Sequence, residues 1–130
     1  MTREAACSCG QLRLTAEGDP IRVSMCHCLA CQRRTGSAFG FQARFAADRV
    51  QVTGRYTDYV RISDDGEART NHFCPECGGT VFYELEAEPD VVAVPGGAFA
   101  DPTFPPPIRS IYESRQHPWL TITAEMEHHD

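Results

Sequence analysis

The stretch His72-Phe73-Cys74-Pro75-Glu76-Cys77-Gly78-Gly79 decides how the 130-residue chain is read. A Cys-x-x-Cys pair has two common uses. As a redox motif of thioredoxin type it expects a βαβ context and a following helix. As a zinc knuckle it lies in a tight turn, where a trailing glycine takes the left-handed backbone that points nearby amides at sulfur. Here Pro75 presets the turn, and Gly78-Gly79 lead into Val81, Tyr83 and Leu85, which share one parity as a strand does. The pair therefore reads as half of a metal site in a β protein.

Outward from the knuckle, the periodicities remain those of strands. Leu12 and Leu14 alternate with polar neighbours, Val50 and Val52 flank Gln51, and Ile108, Ser110 and Tyr112 share a parity. Residues 21–26, 37–45, 56–62, 69–73, 90–94 and 118–123 are further expected strands. Turn signals separate them, at 18–20 (GDP), 63–66 (SDDG), 88–90 (EPD) and 95–97 (PGG). Only Leu29 to Arg34 invites a short helical turn. The run Asp101 to Pro107, with three consecutive prolines, reads as an extended connection and excludes a helix. The expectation is a mainly β single domain over residues 1–130, with short strands, little helix and no internal repeat.

The chain holds seven cysteines, Cys7, Cys9, Cys26, Cys28, Cys31, Cys74 and Cys77, all in three tight clusters. An odd number leaves one thiol unpaired, and cysteines one or two residues apart cannot easily bridge each other or close useful loops. Metal ligation is the first reading. The knuckle supplies two ligands where a structural zinc takes four. Cys7-Ser8-Cys9-Gly10 offers two more with the same trailing glycine, and Cys26-His27-Cys28-Leu29-Ala30-Cys31 offers three within six residues. The arithmetic suggests one closed site of four cysteines and one set of three with a vacant position, the form a catalytic zinc takes. Other partitions stay open: His27 joining the three cysteines to close their site, or a single four-ligand zinc with three spare thiols. His27 lies between two ligands, so its side chain should point away from a metal that both neighbours face. Iron–sulfur spacings do not fit.

Three thiolates on Zn²⁺ leave a net charge of about −1, a poor Lewis acid for hydrolysis. Such a centre suits holding a fourth, substrate thiol as a nucleophilic thiolate. The expected chemistry is addition of a thiol to an electrophilic carbon.

The formal net charge of −6 argues against nucleic acid, whose affinity rests on a surplus of basic residues. All twelve basic residues are arginine, so no lysine exists to form a Schiff base. The start lacks a basic segment followed by an apolar stretch, and no apolar run approaches membrane-helix length. A thiol-rich chain of this kind is expected in the cytoplasm, with reduced cysteines and no membrane partner.

With the three clusters placed, the chain resembles the glutathione-dependent formaldehyde-activating enzyme family, also known through the centromere-protein-V domain. The matching residues are CSCG at 7–10, CHCLACQRRTGS at 26–37, FCPECGGT at 73–80, Pro95-Gly96-Gly97, and IRSIYESRQHPWL at 108–120. The resemblance implies a fold of several coiled antiparallel sheets, β-tent-like. It implies two zinc ions: a structural one on Cys7, Cys9, Cys74 and Cys77, and a catalytic one on Cys26, Cys28 and Cys31. It also implies a carbon–sulfur lyase of the S-(hydroxymethyl)glutathione synthase type, with a small thiol and an aldehyde as partners. Two other classes compete. One is a non-catalytic zinc-stabilised binding module, which has no need of the second cluster; the other is a thiol redox or metal-buffering protein.

Arg33, Arg34, Arg44 and Arg115 are available for substrate carboxylates, but each reads first as a solvated surface residue. Thr35, Gly36 and Ser37 shape a pocket or simply turn the chain out of the cysteine loop. Trp119 is expected in the core, His72 in a strand, and Glu76 at the surface. His128 and His129 carry no expected role. Phosphate-loop, dinucleotide, metalloprotease and nucleophile-elbow motifs are absent.

Overall fold

The structure, a computed structural model, describes residues 1–130. Eleven short strands and one helix make up most of its regular structure. In chain order these are β1 (Thr2–Ala6), β2 (Arg13–Glu17) and β3 (Arg22–Cys26), then a helix α1 (Leu29–Thr35). There follow β4 (Gly40–Ala46), β5 (Val50–Thr53), β6 (Thr57–Ile62), β7 (Ala68–Phe73), β8 (Thr80–Leu85) and β9 (Glu88–Pro95). Two short strands, β10 (Arg109–Ile111) and β11 (Glu127–His128), complete the chain. The mainly β expectation holds.

Strands β1, β2 and β5 make a small antiparallel sheet. The other eight form one sheet in the order β11-β10-β3-β4-β9-β8-β7-β6, antiparallel except where β10 runs parallel to β3 and β11. The core brings together residues of both. Ala5, Leu12, Leu14 and Ala16 come from the small sheet and its approach, and Val23, Ala43, Phe45, Val92 and Val94 from the large one. Phe99 and Phe104, stacked at 4.7 Å, join the same core from the segment after β9. Full burial of each Leu, Val or Phe among them stabilises the fold by roughly 1.5–3 kcal/mol.

Register then settles what lies on the other face of the large sheet. Val23 pairs with Ala43, and Ala43 with Val94, on the core side. One residue along, Cys26 pairs with Gly40, Ser24 with Gln42, and Arg44 with Ala93. Because side chains alternate across a strand, these residues and Tyr83, which pairs with Ala93, face away from the core. Asn71, paired with Tyr83, and Arg69 continue that face along β7.

Several sequence expectations are corrected. Residues 118–123 form no strand; they are turn and irregular chain that no other strand pairs. The turn expected at 88–90 lies at 86–87, and Glu88 already begins β9. Strand β1 carries no clear alternation, since only Ala5 is fully buried, and was not expected. The tail does have a place: Glu127 and His128 pair with Arg109 and Ser110. No helix is long and apolar enough to cross a membrane.

Candidate metal centres and an adjoining basic pocket

The first cysteine cluster forms where two tight turns meet at the end of the core. Cys7-Ser8-Cys9-Gly10 links β1 to the approach of β2, and Cys74-Pro75-Glu76-Cys77-Gly78 links β7 to β8. Each turn closes on itself, the Gly10 N–H donating to Cys7 O and the Gly78 N–H to Cys74 O. Both glycines have positive φ, 82° and 79°, which the knuckle geometry requires. The sulfurs of Cys7, Cys9, Cys74 and Cys77 all lie within 4.8 Å of one another. Cys9 Sγ is 3.6 Å from Cys7 Sγ and 3.7 Å from Cys74 Sγ. Tetrahedral zinc with bonds of about 2.3 Å needs sulfur separations of about 3.8 Å, so the donor set fits. N–H groups already point at sulfur: the Leu12 amide at Cys7 (3.3 Å), the Glu76 amide at Cys74 (3.3 Å) and Gln11 Nε2 at Cys74 (3.0 Å). Burial pushes the Cys74 thiol up, but Gln11 and the amides of its own turn outweigh it and hold it at about 6. Glu76 is exposed and pairs with Arg55, as a surface residue does.

The second cluster is built by β3 and α1. Cys26 ends β3 on the face away from the core. Cys28 caps the helix, accepting the Cys31 N–H at 3.3 Å, and Cys31 sits one turn into it. Their three sulfurs again lie within 4.8 Å of one another, and no fourth Cys, His, Asp or Glu joins them. All seven cysteines are free thiols. Hydrogen bonds from Cys26 and Cys28, stronger here than the opposing effect of burial, hold Cys31 well below the ordinary thiol range, helped by the charges of Arg69 and Arg34. The same contacts with Cys28 and Cys31, and burial, push Cys26 up. The cluster thus favours giving up its first proton at Cys31. Three soft thiolate donors suit zinc, with one position left to another ligand.

His27 turns away from this cluster, as its place between two ligands suggested. Its Nε2 lies 2.8 Å from Ser110 Oγ, and Gln32 Nε2 donates to its carbonyl, so it anchors the cysteine loop to β10. His72 is a strand residue, held between Asp58 (2.5 Å) and Glu84 (2.7 Å) and stacked on Phe82. Thr35 ends α1, donating to Cys31 O, and Gly36 caps the helix; the turn reading suffices for both.

Two cavities adjoin the second cluster. One, of about 430 Å³, is lined by Cys26, Cys28 and Cys31 together with charged groups of both signs. The other, of about 530 Å³, carries Arg33, Arg34, Arg61 and Arg69 and no carboxylate. Arg69, on β7, reaches between them: its Nη1 is 3.9 Å from Cys31 Sγ, and its guanidinium lies 3.9 Å over the Tyr83 ring. Arg34 approaches the same ring at 5.3 Å.

The surface reading of the arginines is therefore corrected for Arg34 and Arg44, which are half-buried on this face. Arg33 and Arg115 are exposed, though each lines a cavity. Trp119 is not in the core. It is 70% exposed and packs edge-on against His117 at 5.5 Å, because the residues around it join no sheet. Sequence reading missed Arg69, Arg61, Asn71 and Tyr83 as groups beside the cysteines. Their one signal is position, since Arg69 and Asn71 share a parity in the strand that leads into the Cys74 knuckle.

No curated protein matches the chain. Among solved structures, a Rhodobacter sphaeroides protein is similar, with 19% identity, a TM-score of 0.58, and coverage of 73% of this chain and 85% of that one. At that identity the likeness concerns the fold alone. A family profile described as glutathione-dependent formaldehyde-activating enzyme matches residues 2–115, a span that holds both cysteine clusters and both arginine-lined cavities. The chain belongs to the glutathione-dependent formaldehyde-activating enzyme family.

Proposed function

We propose that residues 1–130 act as one zinc-dependent enzyme domain that joins a small thiol of the glutathione kind to an aldehyde, a carbon–sulfur lyase or synthase-type reaction. Cys7, Cys9, Cys74 and Cys77 would hold a structural zinc, and Cys26, Cys28 and Cys31 a catalytic one. The observation that carries the reading is the second cluster: three convergent sulfurs, no fourth protein ligand, and a cavity opening onto them. Family membership supports formaldehyde as the aldehyde.

Zinc held by three thiolates would supply a site that favours the thiolate over the thiol form of an incoming sulfur at neutral pH. The chain's own residues do the rest. Arg69, 3.9 Å from Cys31, offsets the negative charge that the thiolates concentrate on this face. The walls of the cavity limit where thiol and aldehyde can meet, which raises their effective concentration. His27, Ser110 and Gln32 fix the loop bearing Cys26 and Cys28 to β10, so the three sulfurs converge without rearrangement.

Native mass spectrometry tests the metal content: two zinc ions per chain and a glutathione adduct are expected. One zinc would sink the open-site mechanism. NMR exchange spectroscopy among formaldehyde, glutathione and their adduct then reads turnover above the spontaneous rate. A Cys28→Ser variant should keep its fold and one zinc while losing that turnover. If the whole fold were lost instead, the cluster would be structural.

A further inference from the structure

The cavity of about 530 Å³ holds more positive charge than the proposed reaction with formaldehyde uses. Arg33, Arg34, Arg61 and Arg69 line it with no Asp or Glu among them, and none of the four forms an ion pair with a carboxylate elsewhere. Nε and Nη2 of both Arg34 and Arg69, and Oδ1 of Asn71, are shielded from solvent and make no hydrogen bond. Guanidinium donors left in that condition are costly unless an acceptor arrives, and their planar fork suits a carboxylate. Formaldehyde is neutral, has two heavy atoms, and offers one carbonyl acceptor that offsets none of the four charges.

The neighbouring cavity, which holds the three cysteines, is mixed in sign. Arg44, Arg61, Arg69 and Arg115 line it together with Asp64, Asp65, Glu67 and Glu88, of which Arg44 and Glu88 already pair at 3.4 Å. A thiol carrying an ammonium and carboxylates finds partners of both kinds in that space, beside the sulfurs it must reach. The all-cationic cavity offers an ammonium nothing. The two spaces meet at Ala30, Arg61 and Arg69, which line both.

Building on the thiol–aldehyde reading, we propose that the basic cavity binds the carboxylate of the second reactant. The electrophile would then be a carboxylate-bearing aldehyde of the 2-oxo acid class, with its carbonyl carbon toward the cysteines. The reaction balances without a further reagent. The thiol S–H adds across the C=O bond: a C–S bond forms, the carbonyl π bond opens, and the thiol proton ends on oxygen. The product is a carboxylated hemithioacetal, with no change of oxidation state.

The test uses the zinc-loaded protein with 2-mercaptoethanol, a thiol without carboxylate, and compares glyoxylate with formaldehyde by NMR exchange. Glyoxylate should give the higher kcat/KM. Arg33→Gln and Arg61→Gln, at exposed and half-buried positions, should each lower kcat/KM for glyoxylate by about tenfold more than for formaldehyde, the loss of one charge-assisted hydrogen bond. A second arm compares glutathione with its diethyl ester against formaldehyde. If the arginine variants discriminate only there, the carboxylate in the cavity belongs to the thiol and the proposal is overturned; equal losses for all substrates overturn it too. A third arm follows arginine Nε–H resonances during glyoxylate titration. Saturable shifts that vanish in an Arg33→Gln/Arg61→Gln double variant support the site even if no thiol–aldehyde pair turns over. Turnover with formaldehyde but no such shifts would leave the reaction assignment standing and remove this one.

Discussion

Replacing Arg69 by Met removes a positive charge from beside the second cysteine cluster while keeping an unbranched side chain over Tyr83. At 3.9 Å, a guanidinium and a thiolate attract by about 4 kcal/mol at an effective dielectric constant of about 20. The open cavity admits water, so a third to two-thirds of that, about 1.4–2.8 kcal/mol, is a fair expectation. Each step of about 1.4 kcal/mol is a factor of ten. Zinc affinity at Cys26, Cys28 and Cys31 should therefore fall about 10- to 100-fold. Loss of the cation also makes Cys31 harder to deprotonate, which works against metal binding in the same direction. Competition with graded chelators measures the loss, and the Cys7, Cys9, Cys74 and Cys77 cluster in the same molecule serves as the reference. Arg69→Lys, which retains the charge, should recover most of the affinity. Parallel weakening of the two clusters would mean that Arg69 acts through general stability. No change at either would mean that its charge does not reach the sulfurs, and the reasoning would fail.

Gly54 has φ of 99°, and a Cβ there would overlap the carbonyl of Gln11, whose side chain holds Cys74 Sγ and Arg55 O. Gly54→Ala should destabilise the chain by about 2–4 kcal/mol and loosen metal at the first cluster before the second, read by urea denaturation and chelator release. Trp119→Ala should change stability by no more than about 0.5 kcal/mol in the same denaturation assay, since the ring buries little. Glu113 is held below the usual carboxylate range chiefly by His128, at 2.6 Å. Its contribution is present above the ordinary carboxylate pKa and disappears as pH falls through the lowered one. In Glu113→Gln that acid dependence should flatten, with about 0.5–1 kcal/mol lost at neutral pH by thermal or urea melts.

The strands that sequence reveals are those with one wet face. Leu14 and Ala16 alternate cleanly because β2 covers the core on one side only, and Leu12, just before the strand, keeps the same parity. β7 does not: Arg69 and Asn71 face the cavity while His72 is buried on the opposite side, so polar residues occupy both parities. Nothing in the order of residues separates a guanidinium beside a thiolate from one in water. That distinction depends on β7 lying opposite α1, a relation between residues 38 positions apart. β11 is two residues long, below any periodicity, and it exists because Ser110 and Ile108 offer unpaired backbone groups. The cysteine clusters were legible for the opposite reason. A metal site needs close spacing within each half, and spacing is what a sequence records directly. Trp119 is the converse case: a large apolar residue reads as interior, yet the chain around it joins no sheet and leaves it exposed.

The seven residues of α1 hold Cys31, Arg33 and Arg34 within about one turn of backbone. Candidate metal ligand and pocket wall therefore travel as one cassette, capped by Cys28 at one end and Gly36 at the other. Substituting Arg33 and Arg34 changes one wall of the basic cavity while the caps Cys28 and Gly36 and the first cluster stay in place. For the engineer this is a short segment in which one wall of that cavity can be recoded. For comparison among proteins of the same fold, it is a place where the cavity wall can vary while the cysteine beside it is kept.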